Sequence, residues 1–212
     1  ATHPTNGDIY LTLTNNTSRN AATGTNPPNP RLNNVNGHII RWHDEAGSTK
    51  FEWDIFVFGS DAGADADTNR SGLTALNQLA SPDGLGFDSR GILWIQTDNG
   101  IDGGRNNNVA RATNDQMLAV IPGSLADSTG TGPAVNASNQ ADLRRFFVGP
   151  NEAEITGFAI TPDHTSVFLN IQHPVNWPAY GTDDATVAST ATVRPRSSTV
   201  VIQRADGGPI GV

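Results

Sequence analysis

Three runs along the chain share one pattern of apolar and polar positions: "IYLTLTNN" (Ile9–Asn16), "ILWIQTDN" (Ile92–Asn99) and "VFLNIQHP" (Val167–Pro174). Each is a short stretch rich in β-branched and aromatic residues that closes on polar ones, the signature of a strand ending at a loop. Each follows a turn, "HPTNGD", "FDSRG" or "TPDHTS", and Gly7 and Gly91 suit turns that require a positive φ. Upstream of the second and third runs lie "SPDGLGFD" and "AEITGFAI", and matching Gly86-Phe87 to Gly157-Phe158 sets Asp83 opposite Glu154. Downstream of the first and second come "GHIIRWHDE" and "DQMLAVIPG", then "FEWDIFVFG" and "DLRRFFVGP"; the third is followed by "STVVIQRADGG".

The repeating unit is therefore four antiparallel strands, a to d, and four-stranded units in series predict a β-propeller, with a β-sandwich of hairpins as the alternative. Successive b strands are roughly eighty residues apart, long for a propeller blade, with the excess in loops. In the first unit only Ala1–Pro4 stands where strand a belongs, and the last unit has no strand d. The expected fold is all-β, a partial propeller of about two and a half blades: an incomplete blade over 1–60, a full one over 80–150 and an incomplete one over 151–212. That is half of a six-bladed ring. So short an array leaves edges and sheet faces uncovered, so the segment by itself should fold poorly and need a missing N-terminal half or a completing chain.

Tracing such a blade puts the d–a and b–c loops on one face. Asp83 and Glu154 open strand a, whereas Asn15, Asp98 and His173 close strand b. All five should gather at the mouth of a central channel. Clustered carboxylates are costly unless compensated, and calcium, which takes six to eight oxygen ligands, compensates them well. The competing reading makes Asp83 and Asp98 turn residues, an explanation that suits Glu154, between Ala153 and Ile155, less well. Arg31 in "NPRLNN" either grips a phosphate or pins its own loop. His173 is a ligand, a proton donor or a buried hydrogen-bonded histidine. His38, His43 and His164 read as ordinary strand or turn residues. Asp61, Asp65 and Asp67 form a solvated loop without calcium-loop spacing.

Composition narrows the function. A net charge of −8 argues against nucleic-acid binding and suits cations. With no cysteine there is no disulfide or thiolate chemistry within the chain, and no apolar run approaches the length of a membrane-spanning helix.

"TLTNN", "NPRLNN", "NGHIIRW", "FEWDIFVFG", "SPDGLGFDSRGILWIQTD", "AEITGFAITPD", "FLNIQHP" and "RPRSSTVVI" resemble, in order, the C-terminal half of the PhoX alkaline phosphatases. The resemblance implies a periplasmic or secreted phosphomonoesterase acting on phosphate esters, with calcium and iron in a propeller channel. Asn15, Asn16, Arg31, Asp83, Asp98, Glu154 and His173 match family motifs. Asp83, Asp98, Glu154 and Asn15 are the expected metal ligands, and Arg31, Asn16 and His173 the expected catalytic or phosphate-contacting residues. The family's "RPEW" motif and its iron-ligating cysteine are absent, so the chain should carry part of an active site and be inactive by itself. The rival readings are a calcium-dependent lactonase and a non-catalytic binding propeller.

Overall fold

The computed structural model describes residues 1–99, 108–125, 132–150, 152–174 and 196–211. Among these, ten strands form three antiparallel sheets in series. The first holds β1 (Ile9–Leu13), β2 (His38–Asp44) and β3 (Phe51–Phe58). The second holds β4 (Pro82–Phe87), β5 (Leu93–Thr97), β6 (Gln116–Val120) and β7 (Arg144–Val148). The third holds β8 (Glu154–Ile160), β9 (Ser166–Gln172) and β10 (Ser198–Gln203). A short α-helix, α1 (Asn108–Ala112), precedes β6, and a 3-10 turn, Gln140–Asp142, precedes β7. Thr2 bridges Ile9, and Ala1 and Tyr10 exchange backbone hydrogen bonds, so the chain start lies on β1 as the tail of a further strand. This is the expected all-β partial propeller. β1 lies against β4, and β5 against β8, so strand b of each sheet meets strand a of the next.

Two apolar layers hold the sheets together. Between the first and second sit Tyr10, Ile39, Phe56, Leu93, Ile95 and Leu118, with the Tyr10 ring edge-on to Phe56 at 5.1 Å and to Phe87 at 5.2 Å. Between the second and third sit Trp94, Met117, Ile155, Val167, Leu169 and Ile171, with Phe146 against Trp94 at 4.9 Å. The second sheet is thus covered on both faces. That is why every residue of β5, "LWIQT", is buried and its pattern is continuous rather than alternating. Each large apolar side chain buried here contributes about 1.5–3 kcal/mol.

The connection from β6 to β7 reaches back to the first sheet. Ala134 and Val135 donate to the carbonyls of Ile55 and Phe56, covering the free edge of β3. Under this strap Arg41 and Asp54 form a buried ion pair at 2.6 Å, and Arg41 also donates to the Gly123 carbonyl.

The outward faces of the end sheets differ from the inner ones. Tyr10, Ile39 and Arg41 point inward, so their strand neighbours Leu11, Ile40 and Trp42 point away, joined across the ladder by Trp53 and Ile55. Of these, Leu11 is 45% and Trp53 38% exposed. On the third sheet Phe168 pairs with Val201 on the outward face, 41% and 53% exposed.

Candidate metal centre

β4 and β5 pair with Pro82 opposite Thr97, and the N–H of Asp98 donates to the Ser81 carbonyl at 3.0 Å. That closure brings the two ends of the hairpin, Asp83 and Asp98, side by side. β8, docked on β5, begins with Glu154. One carboxylate oxygen from each of Asp83, Asp98 and Glu154 lies within 4.8 Å of the others, with Asp83 exposed, Asp98 half-buried and Glu154 buried. The three sheet-end acids that the repeat places at corresponding positions do converge.

The local backbone is built for this. Both acid-bearing strands are entered through a non-glycine residue in the left-handed region two positions ahead of the acid: Ser81 (φ 47°) before Asp83 and Glu152 (φ 57°) before Glu154. Such residues are strained, and their repetition at equivalent points marks a shared turn. Both strands are also bulged near the acid. The ladder shifts between Pro82 and Leu85, skipping Asp83 and Gly84, and again between Thr156 and Phe158, skipping Gly157.

The electrostatics are those of clustered like charges. Burial, then the charges of Asp98 and Asp83 and a hydrogen bond to Asp83, push the Glu154 carboxyl above its ordinary value; His173 opposes the shift. The His173 Nε2 lies 3.4 Å from Glu154 Oε2, on a half-exposed side chain in the left-handed region (φ 41°), and its backbone N–H donates to Ser197 Oγ. An all-oxygen anionic donor set fits a hard divalent cation such as calcium. Carboxylates with an imidazole also suit iron, although a thiolate ligand has no counterpart in this sequence.

Of the remaining expected residues, Asn16 and Arg31 make contacts of their own. Asn15 closes the equivalent end of β1 and is exposed, with no side-chain hydrogen bond among the described residues. Asn16 is spent within its own loop: its amide donates to Asn29 Oδ1 at 3.1 Å and accepts from the Arg19 N–H. Arg31 is buried, and its terminal nitrogens donate to the carbonyls of Gly59, Thr68 and Gly37 and to Asn34 Oδ1 at 2.6–2.8 Å. Of the two roles open to it, the structure assigns the loop anchor. All four terminal N–H bonds are used in this way, and among the described residues the buried Nε–H has no partner. The Asp61 and Asp65 carboxylates accept from Gly63 and Thr68 backbone N–H groups, as in Asx turns.

His38 belongs to the Arg31 network and is more than an ordinary strand residue. Its Nε2 faces the Pro28 carbonyl at 2.7 Å, so Nδ1 takes the Asn34 amide hydrogen at 3.0 Å and the ring is held neutral. Burial, only partly opposed by the Pro28 bond, depresses its pKa from 6.5 to about 4. A histidine whose folded value is depressed stabilises the fold above pH 6.5, and that contribution is lost as the pH falls through 4. At its fullest it is about 3 kcal/mol. The His38 ring resonances should therefore titrate near pH 4 by NMR; titration near 6.5 would refute the buried neutral ring.

Sequence reasoning passed over Gln96. It reads as one more residue of "LWIQT", yet it is buried and its Nε2 donates to the Gly157 carbonyl at 2.8 Å in the next sheet. The glycines at positions 84 and 157 are the available signal, as they are small where a strand would ordinarily carry a side chain.

No curated protein matches the chain. A solved structure of Pseudomonas fluorescens PhoX in complex with vanadate, a transition state analogue, is similar to it at 36% identity and a TM-score of 0.73. That similarity covers 99% of this chain and 34% of that one, so the chain spans about a third of the length of this relative. Residues 1–175 match the family described as alkaline phosphatase PhoX. With the sheet order and the sequence motifs in agreement with that match, the chain belongs to the PhoX alkaline phosphatase family.

Proposed function

We propose that this chain forms part of the active site of a metal-dependent phosphomonoesterase, and that Asp83, Asp98 and Glu154 hold its cation. The observation that carries the reading is the convergence of the three carboxylates from two sheets, within 4.8 Å, in a chain of this family. Calcium is the cation the oxygen donors favour, and iron is the family-implied second metal. When bound, the cation supplies positive charge for the oxygens of a phosphate ester.

The chain's own residues have separate tasks. Glu154, the buried member, supplies a desolvated anionic oxygen. Asp83 and Asp98 complete the charge needed to hold a dication. His173 steadies the Glu154 carboxylate and, being half exposed, presents its ring to the site, where it can donate a proton to the departing alcohol oxygen. The rest of the site comes from polypeptide outside this chain, which packs on the open sheet faces. Periplasmic or secreted placement belongs to the same reading.

The test uses the full-length protein. A chromogenic aryl phosphate should be hydrolysed, the activity should vanish on chelation and calcium should restore it. Lactone opening without phosphate-ester cleavage would replace this reading with the lactonase one. Metal analysis showing neither calcium nor iron in stoichiometric amount would favour a non-catalytic propeller.

A further inference from the structure

The two bulges free backbone carbonyls beside the acids, and side chains of the preceding sheet take them up. At the first bulge Thr12 Oγ1 donates to the Asp83 carbonyl at 3.0 Å, and Thr14 Oγ1 to that of Pro82 at 3.1 Å. At the second, Gln96 Nε2 donates to Gly157, which has a φ of 57°. In both cases a side chain on or directly after strand b of one sheet bonds to strand a of the next.

Gln96 occupies the more constrained position. It lies two residues before Asp98 and is 3% exposed. Its side chain lies over Gly84, next to Asp83, so closely that a Cβ there would come within 2.4 Å of Gln96 Oε1. Its amide bonds three residues beyond Glu154. One buried side chain thus touches the strands of all three acids. A Cβ on Gly157 would meet Asn170 Nδ2 at 2.5 Å, so the bulge that offers the carbonyl is itself fitted to glycine.

We propose that Gln96, assisted by Thr12, is a positioning residue that sets the spacing of Asp83, Asp98 and Glu154. This rests on the cation reading above. The bulges release the acid-bearing strands from their own ladders, and the side chains fix them to the neighbouring sheet, so carboxylates from separate sheets are held at one distance. Residues that orient ligands in this way typically change metal affinity by ~10–100-fold when replaced.

The experiment compares variants of the full-length protein by calcium titration after chelation. The binding class abolished in Asp83→Asn identifies the triad, and melting is measured in the metal-free form. Gln96→Met keeps the volume and removes the hydrogen bond. It should weaken calcium at the triad by ~10-fold or more. Asn77→Leu is the control, since the Asn77 amide ties its loop to the turn before β7 through Gln140 and Leu143 and bonds to no acid-bearing strand. It should lower the melting temperature and leave calcium affinity unchanged. Thr12→Val, on the more exposed side, should weaken calcium in the same direction and supplies the answer if Gln96→Met does not fold. Unchanged affinity in the Gln96 variant, or equal losses in Gln96→Met and Asn77→Leu, would overturn the positioning role. A wild-type protein with no calcium class lost in Asp83→Asn would instead remove the cation reading on which it rests.

Discussion

Replacing Glu154 by Gln should stabilise the metal-free protein and abolish its response to calcium. In the metal-free form the three carboxylates repel one another. At an effective dielectric of about 20, two like charges 4.8 Å apart cost about 3.5 kcal/mol before water screens the exposed partner. The raised pKa of Glu154 reflects its burial first and the same repulsion second. Gln keeps the shape and one oxygen donor but carries no charge, so the metal-free melting temperature should rise. With calcium present the sign reverses, because the site loses its best desolvated anionic donor. Affinity should fall by more than the ~10–100-fold typical of a supporting residue, and phosphate-ester turnover should fall with it. Asp83→Ala should also lose calcium and activity, with a smaller gain in metal-free stability because Asp83 is the exposed member. Thermal scans with and without calcium read both halves. Calcium-dependent turnover unchanged in either variant would end the assignment of these acids as ligands.

The convergence was legible in the sequence because it follows from topology. Once Asp83 and Glu154 stand at equivalent starts of strand a, and Asp98 at the end of the intervening strand b, the up-and-down order of an antiparallel sheet sends all three to one face. The hydrophobic runs located the strands for a similar reason. β5 is buried on both sides and reads as a continuous apolar segment, while β10 alternates because one of its faces is open. Roles set by contacts between distant segments were hidden. Arg31 resembles a phosphate grip because guanidinium groups serve both anions and carbonyls, and only the loop's fold shows that Gly37, Gly59 and Thr68 hold its terminal nitrogens. His38 looked ordinary because its partners, Pro28 and Asn34, sit in an irregular loop with no periodicity to read. Gln96 was silent because a bulge, which frees the carbonyl it binds, leaves little trace in the sequence beyond a glycine.

The same topology gives the second large effect, the behaviour of the 212-residue chain produced by itself. Among the described residues the second sheet has an apolar layer on each face, whereas the first and third each have one. Leu11, Ile40, Trp42, Trp53 and Ile55 share the outward face of the first sheet, which is too apolar to be a settled solvent surface. Beyond β10 no strand pairs with its free edge among the described residues, and Phe168 and Val201 face outward beside it. Repeat arrays gain stability from the interfaces between units, and here two interfaces must support three sheets. The isolated chain should therefore self-associate or melt over a broad range and bind a hydrophobic dye in its native buffer. Polypeptide covering the outer faces should sharpen the transition and remove dye binding together. The two effects have one cause, so they should appear in the same titration with the completing segment. A sharp, cooperative transition of a monodisperse monomer with no dye binding would show that these exposed faces need no cover, and would remove the physical reason for a completing segment.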